Sequence, residues 1–223
     1  MSFIVGIDGP AGSGKGTIAK NISDILDFIY VDTGAMFRCV TLYMIRNDIK
    51  PDEDEKIKSF IKEIKIEQKK ENGENRFFLN GEDVSKEIRS PEVSKYSSPY
   101  SQNQIIRDEM LNLQRKQGEN QNIVMEGRDI CTVVFPNADV RIYLDATVEE
   151  RAKRRVLQNK ENGIDTPYDE ILKKIKERDY NDSNRKVAPL KYVEGEIYID
   201  TTHMTIEEVT EKIINIIKEK YNK

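Results

Sequence analysis

One histidine, two cysteines and no apolar run near the length of a membrane span set the first limits on this 223-residue chain. A spanning helix needs about eighteen or more consecutive apolar residues, and none is present. With His203 as the sole imidazole, in a Thr-Thr-His-Met turn, a histidine-based triad or a His-rich metal site has no material. Cys39 and Cys131 are too few and too far apart for a disulfide framework or a zinc site, and they read as buried structural thiols. No side-chain metal centre is expected. Whatever chemistry the chain performs therefore rests on carboxylates, arginines and Lys15. The first apolar run has no basic segment before it and stops at Asp8, so no signal peptide is expected and the chain reads as cytoplasmic. A formal net charge of −4 argues against a broad positive face for nucleic acid. Against that acidic background, Arg151, Lys153, Arg154 and Arg155 form a dense basic cluster, which suits a small, highly charged anion.

What is present is an alternation of short apolar runs and helical patterns. Phe3–Ile7, Ile29–Val31, Ile123–Met125, Val140–Leu144 and Ile197–Ile199 read as buried strands. Helical stretches between them predict an α/β fold of three layers around a central parallel sheet. The final segment, Ile206–Lys220, carries a helical stripe of apolar residues with Thr205 as its cap. Two stretches break the rhythm. Alternating residues on either side of Asn72-Gly73 predict a small antiparallel insertion at about 63–86. Arg151–Asp169, with Asn162-Gly163 and Thr166-Pro167 between helical patterns, reads as a mobile lid with helical arms.

The most specific motif follows the first strand: Gly9-Pro10-Ala11-Gly12-Ser13-Gly14-Lys15-Gly16-Thr17. A glycine-rich loop between a buried strand and a helix can fold tightly enough to aim backbone N–H groups at phosphate oxygens. Lys15 adds a mobile ammonium and the helix N-terminus adds its dipole, so the loop predicts a nucleoside triphosphate site. The hydroxyl residue expected directly after the lysine is replaced by Gly16, and Thr17 brings a hydroxyl one position later.

Three further constellations carry charge. Asp32-Thr33-Gly34-Ala35-Met36-Phe37-Arg38 places Thr33 and Arg38 about one helical turn apart, which serves either a pocket or a helix cap with Arg38 in solvent. Glu126-Gly127-Arg128-Asp129 falls at the carboxyl end of a strand, where α/β sheets bind ligands. Arg178, Asp182 and Arg185 are spaced four and three apart, so one helical face would carry all three; a solvated, internally paired face is the plainer alternative. The total of arginines exceeds what one triphosphate needs and points to a second phosphorylated substrate, hence phosphoryl transfer by positioning and charge neutralisation.

These motifs, with Gly127-Arg128-Asp129-Ile130-Cys131-Thr132-Val133-Val134-Phe135-Pro136 and the Val187-Ala188-Pro189-Leu190 tail, resemble the bacterial cytidylate kinases along nearly the whole chain. The Gly16 departure is shared with nucleoside monophosphate kinases. The resemblance implies a P-loop kinase fold in a single chain: a core at 1–36, 88–150 and 172–223, a monophosphate-binding region at 37–87 with the insertion, and a lid at 151–171. It implies transfer of the ATP γ-phosphate to CMP or dCMP, giving CDP or dCDP and ADP, with Mg²⁺ accompanying ATP. ATP and CMP or dCMP are then the partners of a monomer that engages neither nucleic acid nor membrane. By the same resemblance, Gly9 to Thr17 hold ATP, and Arg151, Arg154 and Arg155 are lid arginines closing on its phosphates. Arg38, Arg128 and Arg185 would hold the CMP phosphate. Ser98, Arg107 and Asp129 would read the cytosine with Thr33 nearby, and Arg178 and Asp182 would contact the sugar. Lys15, Arg128, Arg178 and Arg185 carry the catalytic charge. Ser98 and Arg107 rest on the resemblance alone, since their surroundings otherwise pass as a loop and a surface helix.

Overall fold

The computed structural model describes residues 2–161 and 163–221, so Asn162 of the anticipated Asn162-Gly163 turn lies outside the described residues. In chain order the elements are β1 (Ile4–Asp8), α1 (Lys15–Leu26), β2 (Ile29–Asp32), α2 (Thr33–Arg46), α3 (Asp54–Phe60), β3 (Ile66–Glu71), β4 (Glu74–Leu79) and β5 (Glu82–Asp83). There follow α4 (Pro91–Ser101), α5 (Gln104–Gln117), β6 (Ile123–Gly127), β7 (Val140–Asp145), α6 (Val148–Glu161), α7 (Tyr168–Asn184), β8 (Ile197–Asp200) and α8 (Ile206–Tyr221). The chain divides into two compact units, Met1–Tyr30 with Gly118–Lys223, and Val31–Gln117.

The first unit is built on a five-stranded sheet in the order β2-β6-β1-β7-β8. Its central strand β1 pairs in parallel with β6 on one side and β7 on the other. Val5, Gly6, Ile7 and Asp8 are buried in succession, as a strand covered on both faces requires. Residues of β1, β6, β7 and β8 pack with Ile18, Ala19 and Ile22 of α1 and Val209, Ile213, Ile214 and Ile217 of α8 into one core cluster. The closing helix therefore stands as anticipated, down to its cap: Glu208 N–H donates to Thr205 Oγ1 at 3.2 Å while Thr205 N–H donates to the Glu208 carboxylate at 2.8 Å. Helices α6 and α7 form a smaller cluster of their own around Ala152, Ile171 and Ile175.

The second unit holds the small antiparallel sheet β3-β4-β5 and the helices α2 to α5. The β3–β4 hairpin turns at Asn72 and Gly73, both at positive φ, as the Asn-Gly signal implies. Arg46, at the end of α2, clasps the carboxylate of Glu82 with both terminal nitrogens, at 2.6 and 2.9 Å, and that of Glu87 at 2.6 Å. Its guanidinium thus fixes the end of α2 to the small sheet.

Candidate active site

In the first unit, the loop from Gly9 to Gly14 joins β1 to α1. Its opening residue has to be glycine: at φ 151° a Cβ would lie 2.0 Å from the Leu144 carbonyl oxygen. Gly14 precedes the helix without any side-chain cap, and no acidic residue occupies the first turn. The leading N–H groups of α1 and the positive end of its dipole suit an anion. Lys15 is buried, and its ammonium donates to the Pro10 carbonyl at 2.7 Å and approaches Ser13 Oγ at 3.4 Å. Burial, aided by the charge of Arg128 and opposed by Glu126, pushes the Lys15 ammonium down to about 7. Beneath the loop, Asp8 is fully buried and accepts the backbone N–H groups of Ile130 and Cys131 at 2.9 and 2.7 Å. Both cysteines are free and buried, as expected.

The charges of Arg128, directly after β6, and of Arg178 on α7 both act on Lys15. Arg128 Nε donates to Asp182 Oδ2 at 2.9 Å, and Arg178 Nε lies 3.9 Å from the same oxygen. Arg185 Nη2 is 3.4 Å from Asp129 Oδ1, and its Nε donates to the Ala188 carbonyl at 2.7 Å. Burial alone would raise the Asp182 carboxyl, but Arg128, Arg178 and Arg185 hold it below its ordinary value. Arg128 and Asp129 are both largely withdrawn from solvent. The single helical face expected for Arg178, Asp182 and Arg185 is corrected at its end. Helix α7 stops at Asn184, and Arg185, at φ −63° and ψ 145°, continues in extended backbone. It is this turn away from the helix that brings Arg185 to Asp129.

Of the three arginines expected over the nucleotide, Arg151 is buried: it donates through Nη1 to the Ala11 carbonyl at 3.0 Å and to Asp179 at 2.6 Å, and through Nε to the Ala146 carbonyl at 2.9 Å. Arg154 engages Glu150 and both oxygens of Thr201. Arg155 donates to Gln158 at 2.9 Å. Glu126, at the end of β6, points at the start of α1, with Oε1 3.3 Å from where a Cβ on Gly16 would stand. A carboxylate beside a phosphate loop is the hard oxygen donor that a magnesium ion accompanying a triphosphate takes, directly or through water, so the donor set fits that ion.

In the second unit, Asp32 caps α2 by accepting the Ala35 N–H at 2.8 Å. The capping alternative therefore holds for Asp32, while Arg38 is not left to solvent: it donates to the Ile88 carbonyl at 3.0 Å and to Ser94 Oγ at 2.8 Å. Arg107 on α5 is buried; it donates to the Ser101 carbonyl at 3.0 Å and its guanidinium carbon lies 5.5 Å from the centroid of the Phe37 ring. Ser98 lies in α4, one turn beyond Ser94. Thr33, Arg38, Ser98 and Arg107 thus come from three helices held together by these contacts. Sequence reasoning gave no role to Phe37, Ser94, Glu126 or Asp179, although Phe37 lies in the Asp32–Arg38 run, Glu126 in the Glu126–Asp129 run and Asp179 beside Arg178.

The sequence model of the cytidylate kinase family matches residues 5–219. The chain belongs to the cytidylate kinase family. The cytidylate kinase of Fusobacterium nucleatum is 47% identical over 222 residues, covering 100% of this chain and 98% of that protein. That of Thermosipho melanesiensis is 47% identical over 220 residues, covering 99% of each. Among solved structures, an uncharacterized protein from Eubacterium ventriosum shares the fold, with a TM-score of 0.53 at 16% identity over 97% of this chain and 99% of its own. As a cytidylate kinase, the chain is a phosphotransferase of nucleotide substrates. Among the described residues, no helix is long and apolar enough to cross a membrane.

Proposed function

We propose that the protein transfers the γ-phosphate of ATP to the phosphate of CMP or dCMP, with Mg²⁺, and that the residues of each unit divide the work. The observation that carries this reading is the gathering of four cations: Arg128 and Arg178 act on Lys15, and Arg128, Arg178 and Arg185 together act on the buried Asp182. A site built for one triphosphate and a neutral acceptor does not need so many fixed cations; two phosphate-bearing substrates do.

Gly9 to Thr17 cradle the ATP phosphates, and Lys15 moves from the Pro10 carbonyl to the outer ones. Arg128 and Arg185 take the acceptor phosphate in the first unit, and Arg38 is its ligand in the second. Arg178 and Asp182 hold the sugar. Asp129 is the acceptor for the cytosine amino group, and Ser98 and Arg107, with Thr33, read the rest of the base. Discrimination against uracil then follows from a buried acceptor that a carbonyl cannot satisfy. Residues 151–171 form the lid that excludes water; within it Arg155 meets phosphate directly, while Arg151 acts on ATP through Ala11. When bound, Mg²⁺ neutralises phosphate charge and fixes phosphate geometry, with Glu126 as its protein partner. Transfer needs no covalent intermediate: the fixed donors stabilise the spreading negative charge of the transferred group.

The test is ADP release with Mg²⁺-ATP against CMP, dCMP, UMP, AMP and GMP in parallel. Turnover concentrated in CMP and dCMP is the expected result. Turnover led by AMP or UMP would discard the cytosine assignment, and turnover indifferent to any acceptor would discard the reading altogether.

A further inference from the structure

Gly16 interrupts the phosphate-loop pattern at the position where a serine or threonine would offer a hydroxyl to the metal of a bound triphosphate. The structure shows what occupies that space. A Cβ built on Gly16 would lie 3.3 Å from Glu126 Oε1 and 3.4 Å from the Tyr30 hydroxyl. Tyr30 comes from β2 and Glu126 from the adjacent strand β6, so the order β2-β6-β1 delivers both side chains to the end of β1 where the loop begins. The two groups are 3.5 Å apart, with the phenol as donor and the carboxylate as acceptor. Each is half-buried, and the charge of Glu126 is felt by Lys15. Thr17, which carries the hydroxyl displaced by one residue, is exposed.

We propose that the Tyr30 hydroxyl takes over the part of the missing loop hydroxyl: it orients the Glu126 carboxylate toward the metal of the nucleotide complex, beside the position where Gly16 carries no side chain. Tyr30 is a positioning residue acting through Glu126, and its effect belongs to metal affinity rather than to nucleotide affinity. Partners that orient a metal-binding carboxylate are worth about tenfold or more in metal affinity. This rests on the reading of the loop as the seat of a metal-bound nucleoside triphosphate.

The experiment is Mn²⁺ binding to the protein–ADP complex, followed by the paramagnetic resonance of free Mn²⁺, beside ADP binding measured in EDTA. The wild-type protein binds ADP in EDTA and gains a Mn²⁺ site. Tyr30→Phe, which keeps the ring, weakens Mn²⁺ about tenfold and leaves ADP binding in EDTA within about twofold. Restoring a loop hydroxyl in the double variant Gly16→Ser, Tyr30→Phe recovers most of the loss. Unchanged Mn²⁺ affinity in Tyr30→Phe overturns the proposal, as does an equal loss in EDTA, which would mean a loosened loop. Failure of the serine to recover any affinity overturns the equivalence of the two hydroxyls. No ADP binding by the wild type in either medium sinks the nucleotide reading itself, and this inference with it.

Discussion

Lys15 is the residue whose state changes most when phosphate arrives. An ammonium pushed down to about 7 is only partly charged in the nucleotide-free protein at neutral pH. A triphosphate brings several negative charges to the same point and favours the charged form, so the value rises in the complex. Between the two values the complex holds a proton that the free protein lacks. Binding therefore takes up protons, and ATP affinity falls as pH is raised from 7 towards 9. Calorimetry of ATP binding at pH 7.5 in two buffers of different ionisation enthalpy should give apparent enthalpies that differ by a fraction of a proton's worth; equal enthalpies would remove Lys15 as the titrating group. At this scale the sequence was informative where a motif is local. The loop and the Arg128-Asp129 dipeptide are contiguous strings whose chemistry follows from their order. Tyr30 beside Glu126, or Arg107 against Phe37, depends on which strands and helices become neighbours, and neither spacing nor composition encodes that.

Among the elements, α6 has a role beyond that of a lid arm, because it begins directly beneath the phosphate loop. Arg151, in its first turn, joins three acceptors: the carbonyl of Ala11 in the loop, the carbonyl of Ala146 at the end of β7, and Asp179 on α7. The position of Ala11, and hence of the N–H groups around it, is tied to the packing of two helices. Lysine keeps the charge but has a single nitrogen head and cannot serve all three directions at once. Arg151→Lys is expected to raise KM for ATP about tenfold, equivalent to about 1.4 kcal/mol, with KM for CMP and the far-ultraviolet dichroism unchanged. A parallel rise in both KM values would assign Arg151 a general structural part instead. The elements themselves were unevenly legible. Strands buried on both faces, the Asn-Gly hairpin and the amphipathic α8 declare their periods. The surroundings of Ser98 do not: Ser97-Ser98-Pro99 passes as a loop, yet it lies within helix α4. Ser90 caps it by accepting the Val93 N–H at 3.3 Å, and Val93, Ser97 and Tyr100 are buried. Packing overrides weak propensity there, even though Pro99 removes an intrahelical N–H donor in the helix's last turn.

For the molecule as a whole, the site imposes a pH dependence on stability. Asp8 is raised from the ordinary 3.8 to about 7, first by burial, with the charges of Asp129 and Glu196 adding to it and the N–H groups of Cys131 and Ile130 opposing it. Between those values the folded protein holds a proton that the unfolded chain has lost, so this carboxyl's contribution to stability declines as pH rises from 4 to 7. Lys15 runs the other way. Lowered from 10.5 to about 7, it leaves the unfolded chain holding the extra proton between those values, so its contribution rises with pH above 7. Together the two groups oppose folding most strongly near pH 7, where the cost of Asp8 has almost reached its full size and that of Lys15 has only begun to fall. Urea unfolding of the nucleotide-free protein and of the Asp8→Asn, Lys15→Met double variant, at pH 5.5, 7 and 8.5, isolates this contribution from every other titrating group. The variant should gain most over the wild type at pH 7, and less on either side. A difference that does not vary with pH would mean that neither group titrates in this range. Near-neutral instability of this kind is relieved by the ligand that charges Lys15, so saturating ATP should flatten the wild-type profile above pH 7 while leaving its decline below pH 7, which belongs to Asp8, in place.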